Sequence, residues 1–179
     1  MTSNNSAPAR EWYVVYTKPR SEKKLHEALR KKAITSYLPL LRIRKKWSDR
    51  YRWIEKPAFD SYLFVSIDFD QEALNVLKTP NAMRFVQWGG SPATLTQHDM
   101  DMLRISVEHF ADSLIIRDAS FFTPGETVLI KVGPFAGKEA IIERIQGKTL
   151  VLVNFPALNK TLQVEIPVEN LQSPADRLV

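Results

Sequence analysis

The sequence has no cysteine and only three histidines among its 179 residues. Without thiols it can form neither disulfides nor thiolate zinc sites. His98 and His109 share one face of a predicted helix but lie about 16 Å apart along it, so they cannot hold one metal ion. No apolar run is long enough to cross a membrane, and residues 1–10 lack the apolar core of a signal peptide. We therefore expect a cytoplasmic protein with no cofactor, no metal and no membrane partner.

Catalytic motifs are also absent from the sequence. Gly89-Gly90-Ser91 lacks the lysine and the spacing of a phosphate-binding loop, and Gly137-Lys138 lacks the hydroxyl residue and the upstream glycine. No serine has the neighbours of a nucleophile elbow. His98, Asp99 and Asp101 imitate a metal cluster, but such residues are typical of the solvated first turn of a helix. The sequence indicates a binding protein and not an enzyme.

Positive charge is concentrated in one part of the chain. Between Lys18 and Lys56 there are 14 Lys/Arg and 4 Asp/Glu, whereas the remainder has 11 Lys/Arg and 16 Asp/Glu. A local net charge of +10 against −5 favours a polyanionic partner such as nucleic acid, with a merely solvated basic surface as the alternative. The candidate nucleic-acid contacts are Lys18, Arg20, Lys23, Lys24, Lys31, Arg44, Lys45, Lys46, Arg50 and Arg52. Trp47, Tyr51 and Trp53 could stack on unpaired bases, or could pair across the strands of a hairpin.

Hydrophobic periodicity predicts an α+β domain over 11–110, after a disordered tail at 1–10. Strands are predicted over 12–17, 36–47, 51–57, 62–68 and 83–88, with a hairpin tip at Ser48-Asp49-Arg50. A helix over 20–32 has its apolar stripe at Leu25, Ala28, Leu29 and Ala33, and a second, over 70–77, is capped by Asp70. A third helix starts near 96–99 and has its stripe at Met100, Leu103, Val107 and Phe110. This order favours helices on a mainly antiparallel sheet.

The periodicity stops over 111–122, which we interpret as a linker. Four short β-prone runs follow at 128–132, 139–144, 149–153 and 161–166, separated by turn signals such as Gly133-Pro134 and Asn159. A meander of this length is typical of a small β-barrel. We therefore predict a barrel domain over 123–172 and a tail at 173–179.

Motifs in both predicted domains resemble those of one family. The glycine-punctuated segment Gly125-Glu126-x-Val128-x-Ile130-x-x-Gly133-Pro134-Phe135-x-Gly137 resembles the KOW motif. Three other segments resemble the N-terminal domain of the NusG family: Trp12-Tyr13-Val14-Val15-Tyr16, Pro57-x-Phe59-x-x-Tyr62-x-Phe64-Val65 and Phe85-Val86-x-x-Gly89-x-x-Pro92. The two sets of motifs occur in the family's order and cover residues 11–172.

The resemblance to the NusG family implies a transcription elongation factor. In this family the N-terminal domain binds the clamp helices of RNA polymerase and makes elongation more processive. Tyr16, Tyr62 and Phe64 match the aromatic pocket for the clamp-helix tip and are expected to be partly exposed, the alternative being that they pack the core. Lys18 and the basic helix face match the side near the upstream fork, which implies non-template DNA or nascent RNA as a partner. We expect the chain to act as a monomer.

Two departures from the family pattern indicate a specialised member. Phe59-Asp60-Ser61-Tyr62 occurs where the family usually has Phe-Pro-Gly-Tyr, and Leu158-Asn159-Lys160 where housekeeping members have Phe-Gly-Arg. The second departure resembles RfaH, an antiterminating paralogue. Trp47-Ser48-Asp49-Arg50 with Trp53 resembles paralogues that drive polysaccharide operons in Bacteroidota. We interpret the chain as an operon-specific antiterminator; the alternatives are a general NusG-type elongation and termination factor, or an RNA- or ribosome-binding KOW protein without a polymerase role.

The KOW domain is expected to bind a second partner through Phe135, Leu158, Asn159 and Lys160. In the family this domain contacts the termination factor Rho or a small-subunit ribosomal protein. Leu158 in place of an aromatic ring removes contact area, which favours the ribosome over Rho. Asn159 tolerates the left-handed conformation and can preserve the turn. The alternative is that Leu158 belongs to the barrel core.

Overall fold

The computed structural model describes residues 10–47, 49–111, 114–118, 125–131, 133–145, 148–166 and 171–172. The elements in chain order are β1 (Glu11–Thr17), α1 (Glu22–Lys31), β2 (Thr35–Tyr37), β3 (Leu40–Lys46), β4 (Tyr51–Pro57), β5 (Tyr62–Ile67), α2 (Phe69–Leu77), β6 (Ala82–Phe85), β7 (Gln87–Trp88), β8 (Ser91–Pro92), β9 (Thr94–Leu95), α3 (Gln97–Phe110), β10 (Ile115–Asp118), β11 (Glu126–Ile130), β12 (Glu139–Ile145), β13 (Lys148–Phe155), β14 (Lys160–Glu165) and β15 (Leu171–Gln172). The predicted tails lie outside the described residues, apart from Arg10.

Contacts divide the chain into two compact units. The first contains Met1–Pro39 and Phe59–Gln97, and the second contains Leu40–Ala58 and His98–Val179. The predicted division after residue 110 therefore differs from the observed one in two places. The β3–β4 hairpin and nearly all of α3 group with the second unit.

The first unit is built on an antiparallel sheet in the order β2-β5-β1-β6, with β9 also pairing with β1. Strand β1 lies inside this sheet, and Val14 and Val15 are fully buried. A continuous apolar run of β-prone residues is what a strand covered on both faces requires. The predicted mixed α+β architecture with a mainly antiparallel sheet is confirmed.

Helix α1 buries the predicted residues Leu25 and Leu29. It begins at Glu22 and not at Arg20, because Arg20 has a φ of 58° and cannot belong to a right-handed helix. Glu22 is buried, and its carboxylate accepts a hydrogen bond from the backbone N–H of Ser61 at 2.7 Å. That bond fixes the start of the helix to the turn before β5.

Helix α2 is capped by Asp68 and not by the predicted Asp70. The Asp68 carboxylate accepts a hydrogen bond from the backbone N–H of Gln71 at 3.3 Å, so the helix starts at Phe69. Asp68 has the extended backbone of an N-cap residue, whereas Asp70 is already helical.

The predicted strand over 36–47 is two strands in two different sheets. Strand β2 pairs with β5, whereas β3 pairs with β4. Leu38 and Pro39 separate them, and Pro39 has no N–H to donate to a ladder. The predicted strand over 83–88 is likewise divided into β6 and β7.

The second unit contains an antiparallel sheet in the order β10-β14-β13-β12-β11-β15. Its turn glycines Gly133 and Gly137 have φ values of 85° and 77°, which only glycine adopts readily. The predicted linker 111–122 contains strand β10, in which Ile116 pairs with Leu162. A strand of four residues is too short to show a period, but β10 completes the edge of the sheet beside β14.

Helix α3 is buried along two stripes. Met100, Leu103 and Val107 are buried as predicted, and Met102 and Ser106 are buried as well. The Ser106 hydroxyl donates to the carbonyl of Met102 at 2.7 Å, which satisfies the one buried polar group of this second stripe. No helix in the described part of the chain is both long and apolar enough to span a membrane.

Candidate functional site

Two tyrosines of the first unit form an aromatic pair on the face of the sheet. Tyr16 of β1 is directly opposite Tyr62 of β5, and residues opposite one another on antiparallel strands share a face. Their ring centroids are 5.8 Å apart with an interplanar angle of 65°, an edge-to-face arrangement. Both residues are half-buried. They form an aromatic surface that a partner can reach.

Arg84 completes this surface from the other neighbouring strand. It is opposite Tyr16 in the β1–β6 ladder, and its guanidinium carbon lies 5.3 Å from the centroid of the Tyr16 ring. An exposed cation over a ring face is attracted by the ring's quadrupole. We define the Tyr16–Tyr62 surface as these two tyrosines together with Arg84. Arg84 could not be predicted from the sequence, because no local pattern shows which strand lies beside β1.

Phe64, the third predicted pocket residue, is fully buried. It lies on the same face of β5 as Tyr62, between Tyr37 at 6.5 Å and Phe59 at 5.9 Å between ring centroids. The expected partial exposure is therefore wrong for this residue. Rings from two other segments cover Phe64, so it supports the Tyr16–Tyr62 surface from inside the core.

The altered turn before β5 depends on an unusual backbone at Ser61. Ser61 has a φ of 65°, a left-handed conformation that favours the glycine seen in the resembled family. Its carbonyl accepts a hydrogen bond from the N–H of Thr17 at 2.8 Å, and its N–H donates to Glu22. These two bonds hold the turn and thereby place Tyr62 opposite Tyr16.

The predicted basic residues of the first unit are all exposed. Five of them lie on or just before α1: Lys18, Arg20, Lys23, Lys24 and Lys31. Lys23, Lys24 and Lys31 lie on the side of the helix away from the buried residues Leu25 and Leu29, as the helical period requires. Exposure of this kind allows contact with phosphates.

The remaining predicted basic residues lie on the β3–β4 hairpin of the second unit. Arg44, Lys45, Lys46, Arg50 and Arg52 are all exposed. The strands pair from Leu40 opposite Pro57 to Lys46 opposite Tyr51, which confirms the predicted hairpin, although Ser48 of its tip lies outside the described residues. Trp47, Tyr51 and Trp53 each keep 54% of their surface exposed. Each of these rings has an arginine over it, at 4.2 to 6.0 Å from its centroid.

The four predicted partner-binding residues of the KOW domain differ in exposure. Phe135 is fully buried and stacks on Phe110 of α3, with centroids 5.0 Å apart and an interplanar angle of 10°. Leu158 is buried too, which is the core position that the alternative interpretation requires. Asn159 is exposed and has φ 50° and ψ 42°, the predicted left-handed conformation, and Lys160 is half-buried. Only Asn159 and Lys160 can offer surface to a partner in this conformation.

Burial shifts two pKa values in the first unit. Burial raises the pKa of Tyr13 to about 12, helped by the Glu11 carboxylate, which accepts a hydrogen bond from its hydroxyl at 3.0 Å. Burial, and then the charge of Arg30, lower the pKa of His26, whose Nδ1 lies 2.9 Å from the Ser36 hydroxyl. Both groups are neutral near pH 7, so neither adds charge to the surfaces described above. Across the described ranges, His, Asp and Glu side chains do not gather in threes as a metal site would need.

Comparisons with known proteins identify two matching families. The family model for NusG, described as transcription termination factor nusG, matches residues 10–104. The KOW motif model matches residues 124–154.

Similar proteins include transcription termination/antitermination proteins named NusG. The one from Pseudomonas aeruginosa is 24% identical over 178 residues and covers 92% of this chain and 98% of its own length. The one from Escherichia coli O6:H1 is 24% identical over 185 residues, covering 94% and 98%. The solved structure of Thermotoga maritima NusG is similar with a TM-score of 0.50 and 22% identity, over 94% of this chain and 99% of the other.

Proposed function

The chain belongs to the NusG family, and from this premise we propose that it is a transcription elongation factor that binds RNA polymerase through the Tyr16–Tyr62 surface. Members of this family are transcription factors and not enzymes. The observation that carries the proposal is the edge-to-face pair of half-buried tyrosines, with the Arg84 guanidinium over one of the rings.

The Tyr16–Tyr62 surface has the properties of a binding hot spot. Aromatic and arginine side chains contribute most of the binding free energy in many interfaces when a partner desolvates them fully. Here two such rings are already fixed by adjacent strands, so binding loses little side-chain entropy. The tip of the polymerase clamp helices is the partner that we propose, and burial of the two rings on it would keep the factor bound during elongation.

The basic face of α1 is proposed to contact non-template DNA or nascent RNA. It carries exposed lysines at positions 23, 24 and 31, with Lys18 just before the helix. Contacts of this kind bind phosphates without reading sequence and would add to the affinity of the polymerase contact.

We further propose that the protein is a specialised antiterminator and not the general factor. The support is the segment Leu158-Asn159-Lys160, in which a buried leucine replaces the ring of the housekeeping pattern and leaves a small polar surface. The general NusG-type factor is the second candidate. The family match to an N-terminal NusG domain argues against a KOW protein that acts on the ribosome alone.

The polymerase proposal is tested with Tyr62→Ala in the full chain. We expect this variant to bind RNA polymerase about 1–4 kcal/mol more weakly than the wild type, the range for a truncated aromatic anchor. Trp88→Ala is the matched control, because Trp88 is an exposed ring elsewhere in the same unit and is 56% exposed. Affinity is measured by titration of labelled protein with core polymerase. A folded Tyr62→Ala variant that binds as tightly as the wild type would falsify the proposal.

A further inference from the structure

The β3–β4 hairpin exposes more aromatic surface than its own folding explains. Four aromatic side chains among the described residues are more than half exposed, and the hairpin holds three of them, Trp47, Tyr51 and Trp53. Between residues 40 and 57 there are seven Lys/Arg and two Asp/Glu, a net charge of +5. Exposed rings among side chains of mainly one charge form an aromatic and basic surface, which is typical of an interaction site.

The strand register places these groups on two faces of the hairpin. Arg44 is opposite Trp53 and Lys46 is opposite Tyr51, so these four side chains share one face with Arg42. The Arg42 guanidinium lies 5.2 Å from the Trp53 ring centroid, and that of Arg44 lies 4.2 Å from the Tyr51 centroid. Lys45 is opposite Arg52 on the other face, where Arg52 lies 6.0 Å from the Trp47 centroid.

The pairing of each ring with an arginine has a chemical consequence. A guanidinium covers part of one ring face, while the ring as a whole stays about half exposed. A base can stack on the open side of the ring. The arginine over that ring is then close to the phosphate of the stacked nucleotide. Tyr51 and Trp53 are two residues apart on one strand, so the two stacking positions are about 7 Å apart. That spacing suits successive bases of an extended strand.

The same features argue against a duplex as the ligand. A two-stranded ribbon can enter the major groove of DNA, but there it reads hydrogen-bonding groups on base edges. In a duplex the faces of the bases are stacked on one another, so Trp53 and Tyr51 would find no face to stack on. An unpaired strand presents both its base faces and its phosphates.

We propose that the β3–β4 hairpin is a stacking ladder for an unpaired nucleic-acid strand, with Trp53 and Tyr51 as the rungs on one face and Trp47 on the other. This inference rests on the proposed contact between the protein and nucleic acid, and it names the form of the ligand. It assigns Trp47, Tyr51 and Trp53 to base stacking. Lys45, Lys46 and Arg52 bind the phosphates.

The experiment uses the full chain and no polymerase, so its outcome does not depend on the Tyr16–Tyr62 surface. Labelled oligothymidine of about 12 nucleotides is titrated with the wild type, with Trp53→Ala and with Trp53→Phe. Loss of one stacked base costs about 1–3 kcal/mol, so Trp53→Ala should bind about 5- to 150-fold more weakly, and Trp53→Phe should recover most of that loss. Trp88→Ala is the control, since it removes an equally exposed ring outside the hairpin. A matched titration with oligouridine distinguishes DNA from RNA as the source of the strand.

The salt dependence of binding distinguishes phosphate contacts from stacking contacts. Lys46→Ala should lower the slope of log K against log salt by about 0.7, whereas Trp53→Ala should leave the slope unchanged. Circular dichroism of each variant checks that the sheets are intact, and Trp53→Phe keeps the test decisive if Trp53→Ala misfolds. If the blunt duplex of the same length binds as tightly as the single strand, or if Trp53→Ala binds as the wild type does, the ladder is overturned.

Discussion

Tyr62 and Phe64 lie on the same face of strand β5, yet they have different surroundings. Phe64 is enclosed by Tyr37 and Phe59 and has no exposed surface. Tyr62 is half-buried, and among the ring contacts of the described residues it meets only Tyr16, in an edge-to-face arrangement. A buried ring stabilises the fold through apolar area and close packing, whereas a half-exposed ring leaves area for a partner. Phe64 is therefore expected to contribute to stability and Tyr62 to binding, although they lie within three positions of one strand.

Phe64→Ala is expected to destabilise the protein by about 3–5 kcal/mol, the usual cost of removing a buried phenylalanine and leaving a cavity. Tyr62→Ala should cost less, because solvent already reaches that ring. Urea unfolding of both variants, followed by circular dichroism, gives the two free energies. If the two substitutions cost the same, then Tyr62 is as much a core residue as Phe64, and the proposed surface loses its basis.

Among the elements, helix α1 has one buried apolar face and one exposed basic face. Leu25 and Leu29 are buried, and the buried Glu22 carboxylate ties the first turn to Ser61. Lys24 and Lys31, seven residues apart, lie on the exposed side. Two helical turns bring them nearly into line, about 10 Å apart along the helix axis. They are a natural pair with which to test the basic face.

Lys24→Gln with Lys31→Gln should weaken binding to single-stranded DNA and lower its salt slope by about 1.4, which is about 0.7 for each lost phosphate contact. Lys78→Glu is a charge-matched control, since it also changes the net charge by two and lies at the C-terminal end of α2. Fluorescence anisotropy at several salt concentrations measures both quantities. Equal slopes for the double variant and the wild type would mean that this face is only solvated.

Elements with their own periodicity could be predicted from the sequence. The apolar run of β1, the Leu25 and Leu29 stripe of α1 and the hairpin around residue 49 each depend on a few neighbouring residues. The division of the 36–47 strand at Pro39 could have been predicted as well, because proline is rare inside a sheet. The apolar residues on either side of Pro39 favoured one continuous strand.

Features that depend on partners distant in sequence could not be predicted. Arg84 joins Tyr16 only because β6 lies beside β1, and no local pattern encodes that adjacency. Phe64 is buried because Tyr37 and Phe59 come from other segments. Strand β10 forms because β14 has an edge to complete, and its four residues show no period by themselves.

At the scale of the whole molecule, α3 from His98 onward belongs with the sheet that contains the KOW motif. Lys138 Nζ lies 3.0 Å from Asp101 Oδ2, and Phe135 stacks on Phe110. The turn between β11 and β12 therefore contacts two positions of the helix, about two and a half turns apart. Phe135 is unavailable to another protein while this contact holds, which leaves Asn159 and Lys160 as the candidate partner surface of the KOW domain.

The identity of that partner distinguishes the specialised factor from the general one. We expect the full chain to bind the small ribosomal subunit and not Rho, because the aromatic contact of the housekeeping pattern is replaced by the buried Leu158. A factor that recruited Rho would oppose its own antitermination. Lys160→Ala should weaken ribosome binding by about 1 kcal/mol or more if the residue lies in the interface, whereas Lys131→Ala, an exposed lysine of the same unit, should leave it unchanged. Biolayer interferometry with immobilised protein, against purified Rho and purified small subunits, measures the two affinities side by side. Tight binding to Rho would indicate a general NusG factor. The proposed polymerase contact through Tyr16 and Tyr62 does not depend on this result, because it is tested by its own titration.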